Sequence, residues 1–138
     1  MKKAGAGFIL FREFNGSRLI LGLVGPGFHQ KRCNGTFDIP KGVIDVGEGR
    51  WEAAVREAKE EAGYTITGDM VKAGPYIDGL LTIWMAQVDG DPIINPNPDS
   101  GIIEHSGFKW LDPEDMLADC YNYLQPCVQW ACKEIKNV

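Results

Sequence analysis

Three carboxylates crowd one short run of the chain, "VREAKEEAGY", where Glu57, Glu60 and Glu61 follow directly on Arg56. Trp51, Ala54, Val55, Ala58 and Ala62 recur at the spacing that lines one side of an α-helix, and Gly63 supplies the stop. At about 100° per residue the three glutamates fall within an arc of roughly 100°, beside the apolar stripe and not opposite it. Their side chains belong at the rim where the helix meets the body of the protein, whereas a purely solubilising face would centre on the far side. Glu57 and Glu61 stand one turn apart, and such a like-charged pair costs about 0.2–0.5 kcal/mol unless a cation compensates. Hard divalent ions prefer carboxylate and carbonyl oxygens, and Mg²⁺ binds through a few carboxylates together with substrate phosphates. The chemistry to expect is a cation site for an anionic ligand.

The segment before the helix supports that reading. "PKGVIDVGEG" places Gly42, Gly47 and Gly49 around a loop whose backbone carbonyls can turn toward the same ion. Glu48 lies eight residues before Arg56, so a guanidinium fork can tie the loop carboxylate to the helix. Arg56 is read as an organiser of the site.

The elements that must position these groups are legible from pattern and punctuation. "AGAGFILFRE" and "SRLILGLVG" are β-rich runs joined at Asn15-Gly16, a strong hairpin signal. "GPGFHQKRCNG" reads as a polar loop carrying His29, Lys31 and Arg32, and "TFDIP" as a short strand stopped by Pro40. "VKAGPYID" and "LLTIWMAQV" read as strands, the second apolar enough to be central, and "DGDPIINPNPDSG" as a mobile loop. "GFKWL" is a further strand. Asp112 caps a helix with Pro113 in its first turn, and the amphipathic tail through Leu124, Val128, Ala131 and Ile135 continues it. The expected fold class is α/β: a mixed β-sheet between helices in an α/β/α sandwich.

Size and composition bound the rest. The chain has 138 residues with 44% hydrophobic content, which suits one domain over 1–138. A net charge of −5, with no long basic run, argues against a nucleic-acid surface. The start "MKKAGAGFILFREF" has the flavour of a secretory signal but reads better as a first strand, and no segment approaches the roughly 18 apolar residues of a membrane span. The expectation is a cytoplasmic protein. Cys33, Cys120, Cys127 and Cys132 form no C-x-x-C pair and are expected as reduced, partly buried thiols.

Taken together, Gly42, Glu48, Arg56, Glu57, Glu60, Glu61 and Gly63, with Ala58 and Tyr64 in the two bulky positions, resemble the Nudix box G-x5-E-x7-R-E-U-x-E-E-x-G-U over residues 42–64. Ala58 is small for its slot. The resemblance implies the Nudix α/β/α sandwich and hydrolysis of a nucleoside diphosphate linked to another group. It implies two to three Mg²⁺ or Mn²⁺ ions held by Glu57, Glu60 and Glu61 with a carbonyl from the Lys41–Gly42 turn. One of these glutamates, or a later one matched in rough position by Glu104, takes the proton of the attacking water.

The box does not choose the substrate. Two family markers, a proline about fifteen residues beyond the box and a tyrosine about sixteen to eighteen beyond it, are not met. Pro75 and Tyr76 fall eleven and twelve residues past Tyr64. "AGAGFILFRE", "IPKGVIDVGEG" and "EHSGFKWLDPEDM" resemble the small diadenosine tetraphosphate hydrolases, which points to a dinucleoside polyphosphate such as Ap4A, or to ADP-ribose. The alternatives are a nucleoside triphosphate pyrophosphohydrolase, a catalytically silent nucleotide-binding module and RNA 5′-end processing. Phe37, Tyr76 and Phe108 are candidates for stacking on a base, and His29, Lys31, Arg32 and Lys41 for meeting phosphates. The expected partner is a small nucleotide.

Overall fold

The computed structural model describes residues 3–96, 98, 100–102 and 104–138. Strand β1 (Gly5–Phe14) and strand β2 (Ser17–Val24) form the anticipated hairpin, with Asn15 and Gly16 both at positive φ, 50° and 82°. That pair of dihedrals is the turn whose twist matches right-handed strands, and Asn-Gly adopts it at little cost.

The hairpin does not stay zipped. β1 and β2 pair from Phe11–Ile20 to Phe14–Ser17, and the same register would set Gly7 against Val24. Instead Val24 pairs with Phe37 of strand β3 (Phe37–Asp38), and Gly7 pairs with Lys41 of strand β4 (Lys41–Val43). The segment from 37 to 43 is therefore wedged into the fork of the hairpin. Gly7 makes room for it: a Cβ there would lie 2.3 Å from Pro40 O.

Strand β5 (Val71–Asp78) and strand β6 (Leu81–Gln87) are antiparallel, and β6 runs parallel to β1, so the sheet is mixed in the order β3-β2-β1-β6-β5. Strand β7 (Gly107–Leu111) closes the other side of β2. β6 lies between β1 and β5, the interior place its apolar run requires. Ala6, Phe8, Ile9, Leu10 and Phe11 of β1 are all fully buried, because both faces of the sheet are covered.

The two faces carry separate cores. Ala6, Phe8, Leu10, Leu21 and Leu23 pack beneath helix α2 (Arg50–Ala62), and Ile9, Phe11, Ile20, Ile83 and Met85 beneath helix α3 (Pro113–Asp119) and helix α4 (Gln125–Glu134). On the α2 side the helix contributes the small residues Ala53, Ala54, Ala58 and Ala62, while Phe8, Trp51 and Trp84 fill the volume edge to face or tilted, with centroids 5.3–6.2 Å apart. Such aromatic pairs add about 0.5–1.5 kcal/mol each beyond their buried area. Ala58 suits its slot because the bulk comes from the sheet.

Two expectations need correction. The tail is not one continuous helix: the chain straightens at Cys120–Tyr121, makes a short 3-10 turn at Asn122–Leu124 and only then enters α4. The cause is a tertiary bond, Tyr121 N–H to Phe37 O at 2.8 Å, which outcompetes helix continuation. The stretch read as a polar loop contains helix α1 (Gly27–Cys33), ended by Asn34 in the left-handed conformation. Within "DGDPIINPNPDSG", Asn97 and Asp99 lie outside the described residues; its anchored start is described, with Ile93 N–H bonded to Ala62 O at 2.9 Å. The four cysteines are free thiols, as expected. Among the described residues, no helix is long and apolar enough to cross a membrane.

Candidate active site

Helix α2 presents its acidic rim to the 37–43 segment in the hairpin fork. At the centre, the Arg56 guanidinium uses every nitrogen. Nε and Nη2 donate to the two oxygens of Glu48 at 2.8 and 3.0 Å, Nη2 also reaches Val43 O at 3.0 Å, and Nη1 donates to Glu57 at 2.8 Å and Glu60 at 3.2 Å. Glu48 in turn accepts the Asp45 N–H at 3.0 Å. These bonds push the Glu48 pKa down to about 2, led by the Arg56 contact, and carboxylate partners hold Arg56 above its ordinary value. The expected tie between loop and helix is present.

Glu57 and Glu61 are both buried. The Glu57 carboxylate lies against Gly42, where a Cβ would sit 2.1 Å from Oε1. Glu61 accepts the Lys41 N–H on Oε1 at 3.3 Å, while its Oε2 is buried with no hydrogen-bond partner. Burial first, then the neighbouring Glu57 and Asp38, raise the Glu61 pKa well above the usual carboxylate range. An orphaned buried oxygen beside a second carboxylate is an arrangement that a cation would relieve. The donor set, carboxylates around a backbone turn with no Cβ in the way, suits a hard divalent ion. Among the described residues no three His, Cys, Asp or Glu side chains are already gathered as a metal cage, and Arg56 holds two of the three glutamates in its fork.

Two residues that sequence reasoning passed over complete the floor. Asp38 accepts from Ile39 N–H at 2.8 Å and from Lys41 Nζ at 3.1 Å, and its other oxygen meets His105 Nε2 at 3.1 Å. Burial works against the charge on Asp38, but Lys41 and His105 outweigh it and lower its pKa; the same pairing raises that of Lys41 against its own burial. Neither Asp38 nor His105 stands in a periodic or box position. Only their burial beside Glu61 reveals them.

Two clefts meet at this floor. One, about 510 Å³, is lined by Phe28, His29, Arg32, Asp38, Lys41, Glu61, Glu104, His105, Tyr121 and Tyr123. The other, about 800 Å³, is lined by Lys3, Gly5, Lys41, Gly42, Val43, Asp78, Leu80, Leu81 and Tyr123. Lys41 and Tyr123 belong to both, with the ammonium 5.3 Å above the Tyr123 ring. The break in the tail brings Tyr121 and Tyr123 here, and α1 brings Phe28, His29 and Arg32 on one side.

The anticipated ligand contacts sort accordingly. His29, Arg32 and Lys41 line the first cleft, and Glu104 joins Glu60, Glu61 and His105 around a narrow notch beside it. Lys31 points to a separate depression with Gln30, Asn34 and Asp119, because it falls on the opposite side of α1. Phe37 is 7% exposed in the core beneath α3 and α4, Tyr76 stacks on Trp130 at 5.3 Å, and Phe108 sits on β7 opposite Leu23, on the α2 face. None of these three aromatics lines either cleft. The exposed rings at the first cleft are Phe28 (68%) and Tyr123 (46%), missed because a loop reading gave Phe28 no direction and a continuous helix gave Tyr123 the wrong one.

Comparison with known proteins bears on the family and the fold. A protein of Caenorhabditis elegans named bis(5′-nucleosyl)-tetraphosphatase [asymmetrical] is 30% identical across 81% of this chain and 80% of its own length. Another protein of the same organism, named as a nudix hydrolase, is 40% identical across 45% of this chain, which spans only 30% of that protein's length. The crystal structure of a C. elegans Ap4A hydrolase binary complex superposes with a TM-score of 0.71 at 24% identity, over 97% of this chain and 98% of that one, a likeness of fold. The NUDIX domain model matches residues 1–130, and with the box carboxylates in place around Arg56 the chain belongs to the Nudix family of hydrolases.

Proposed function

We propose that this Nudix hydrolase cleaves a phosphoanhydride bond in a dinucleoside polyphosphate such as Ap4A, with Mg²⁺ or Mn²⁺ held by Glu57, Glu60, Glu61 and the backbone of the Lys41–Gly42 turn. The observation that carries the reading is the pair of clefts sharing Lys41 and Tyr123. Each has the volume of a small-molecule site. A substrate with a nucleoside at both ends of a phosphate chain fits two pockets with a cationic divide between them, and the tetraphosphatase relative supports the choice.

Divalent ions, when bound, neutralise phosphate charge, polarise phosphorus and lower the pKa of water. The chain's own residues do the rest. Phe28 and Tyr123 offer faces on which a base stacks, without reading its identity. His29 and Arg32 meet phosphate oxygens from the rim, and Lys41 stands at the divide. Glu57, Glu60, Glu61 or Glu104 accepts the proton of the water that attacks phosphorus, while the bridging oxygen leaves on the departing nucleotide. Arg56 touches no substrate and keeps Glu48, Glu57 and Glu60 in register.

The test is a panel of Ap4A, Ap3A, ADP-ribose, NADH, FAD and nucleoside triphosphates with Mg²⁺, followed by product identification. Preference for Ap4A, yielding ATP and AMP, is expected. Faster turnover of ADP-ribose, or release of pyrophosphate from a lone triphosphate, overturns the substrate assignment. Glu61→Gln is expected to abolish turnover with the fold intact, and retained activity in that variant overturns the role of the box carboxylates.

A further inference from the structure

Four residues from three separated parts of the chain close into a ring beneath the clefts. Lys41 Nζ donates to Asp38 Oδ1 at 3.1 Å, Asp38 Oδ2 meets His105 Nε2 at 3.1 Å, His105 Nδ1 faces Glu61 Oε2 at 3.6 Å, and Glu61 Oε1 accepts the Lys41 backbone N–H at 3.3 Å. Asp38, Glu61 and His105 are 8%, 8% and 5% exposed, so three of the four members are largely buried where the ring forms the floor of the first cleft.

We propose that Asp38 and His105 are positioning residues for Glu61, fixing the direction in which its buried Oε2 is presented to the reaction. The proposal rests on the hydrolase reading above, since it gives Glu61 work to be positioned for.

The geometry leaves Glu61 few other constraints. One of its oxygens accepts a backbone N–H of marginal length, the other has no hydrogen-bond donor, and the carboxylate lies against that of Glu57. A carboxylate held on one side can swing about its last torsion, because that torsion is broad. The His105 ring stands 3.6 Å from Oε2 and so bounds that motion on its side. The ring is itself fixed, through the Asp38 contact and through the neighbouring Ser106 N–H bonded to Val24 O at 2.9 Å. Asp38, with a lysine ammonium on one oxygen, is an acceptor toward the imidazole, so Nε2 carries the ring hydrogen in that contact. In the neutral ring Nδ1 then presents its lone pair toward Glu61 at 3.6 Å, beyond the length of a direct hydrogen bond. His105 thus limits Glu61 by contact and direction without neutralising it.

This arrangement also explains why the two residues lie where they do. Asp38 is carried by the wedge in the hairpin fork, and His105 precedes Ser106, whose N–H bonds Val24 O of β2. Positioning one helix carboxylate from two other elements is how a site is held to within a fraction of an ångström.

The experiment uses the full chain, Mg²⁺ and the best substrate of the panel, comparing Asp38→Asn, His105→Asn and the double variant, with Glu61→Gln as control. Each single variant is expected to lower kcat about 10–100-fold with KM changed less than about threefold, and the double variant to be no worse than the weaker single, because residues acting through one path are not additive. An independent readout is the imidazole ¹⁵N spectrum, in which His105 is one of only two histidines. The Nε2–H tautomer is expected in the wild type, with a shift toward Nδ1–H in Asp38→Asn. Singles within twofold of wild type in kcat, losses that multiply in the double variant, or a wild-type Nδ1–H tautomer overturn the proposal. If Glu61→Gln is inactive while the two singles are normal, this inference fails and the functional reading stands; if Glu61→Gln is active, the functional reading fails first. Should a variant not fold, the wild-type tautomer still decides.

Discussion

Gly42 and Glu57 are in such close contact that a methyl group on residue 42 would stand 2.1 Å from Glu57 Oε1 and 2.2 Å from its carboxyl carbon. The glycine of β4 and this glutamate of α2 therefore form one surface. Gly42→Ala is expected to displace the carboxylate rather than the strand, since Gly42 is held in β4 by its pairing with Ala6. Turnover should fall at least about 100-fold, a loss typical of a misplaced catalytic group, while the thermal midpoint stays close to wild type. Steady-state kinetics beside a melting curve checks both.

Arg56 bonds Glu48, Glu57, Glu60 and Val43 O at once. A lysine has the charge but not the planar fork, so Arg56→Lys can satisfy only part of this set. The expected result is a kcat about 10–100-fold lower, a thermal midpoint lower by several degrees and weaker Mn²⁺ binding by titration calorimetry. Full activity in this variant would show that charge alone suffices.

Glu48 supplies a pH dependence whose sign is fixed. Its folded pKa is about 2, below the ordinary value of about 4.3, because Arg56 and the Asp45 N–H favour the ionised form. The folded state releases the proton more readily than the unfolded one, so the stability it contributes is present above about pH 4.3 and is lost as pH falls toward 2. Glu61, shifted the opposite way, contributes less at neutral pH and more as pH falls. Glu48→Gln should flatten the acid limb between about pH 5 and pH 2 relative to wild type, measured by metal-free urea denaturation at a series of pH values.

The aromatic residues give a test that separates cleft from core. Phe28→Ala and Tyr123→Ala remove stacking faces worth about 1–3 kcal/mol per base, so KM for the dinucleotide should rise about tenfold with stability nearly unchanged. Phe37→Ala opens a cavity in the α3/α4-side core and should cost about 3–5 kcal/mol of stability. Melting curves and KM values for the three variants, measured together, distinguish the two roles.

What the sequence determined by itself follows from short-range physics. The period of the Trp51–Ala62 stripe placed the glutamates on the rim of α2, Asn15-Gly16 set the hairpin, and the eight-residue step from Glu48 to Arg56 announced the guanidinium tie, because each depends on local dihedrals or on a short stretch of adjoining chain. The tertiary structure alone decided the rest. The hairpin opens because a distant segment offers β1 and β2 better partners, the tail breaks because Tyr121 finds Phe37 O, and α1 forms where turn residues suggested a loop. Those three events turn Phe28 and Tyr123 toward the clefts, bury Phe37, and bring Asp38 and His105, 67 residues apart, to within 3.1 Å. No periodicity encodes such a meeting, since it depends on which long-range pairings win once the whole chain has collapsed.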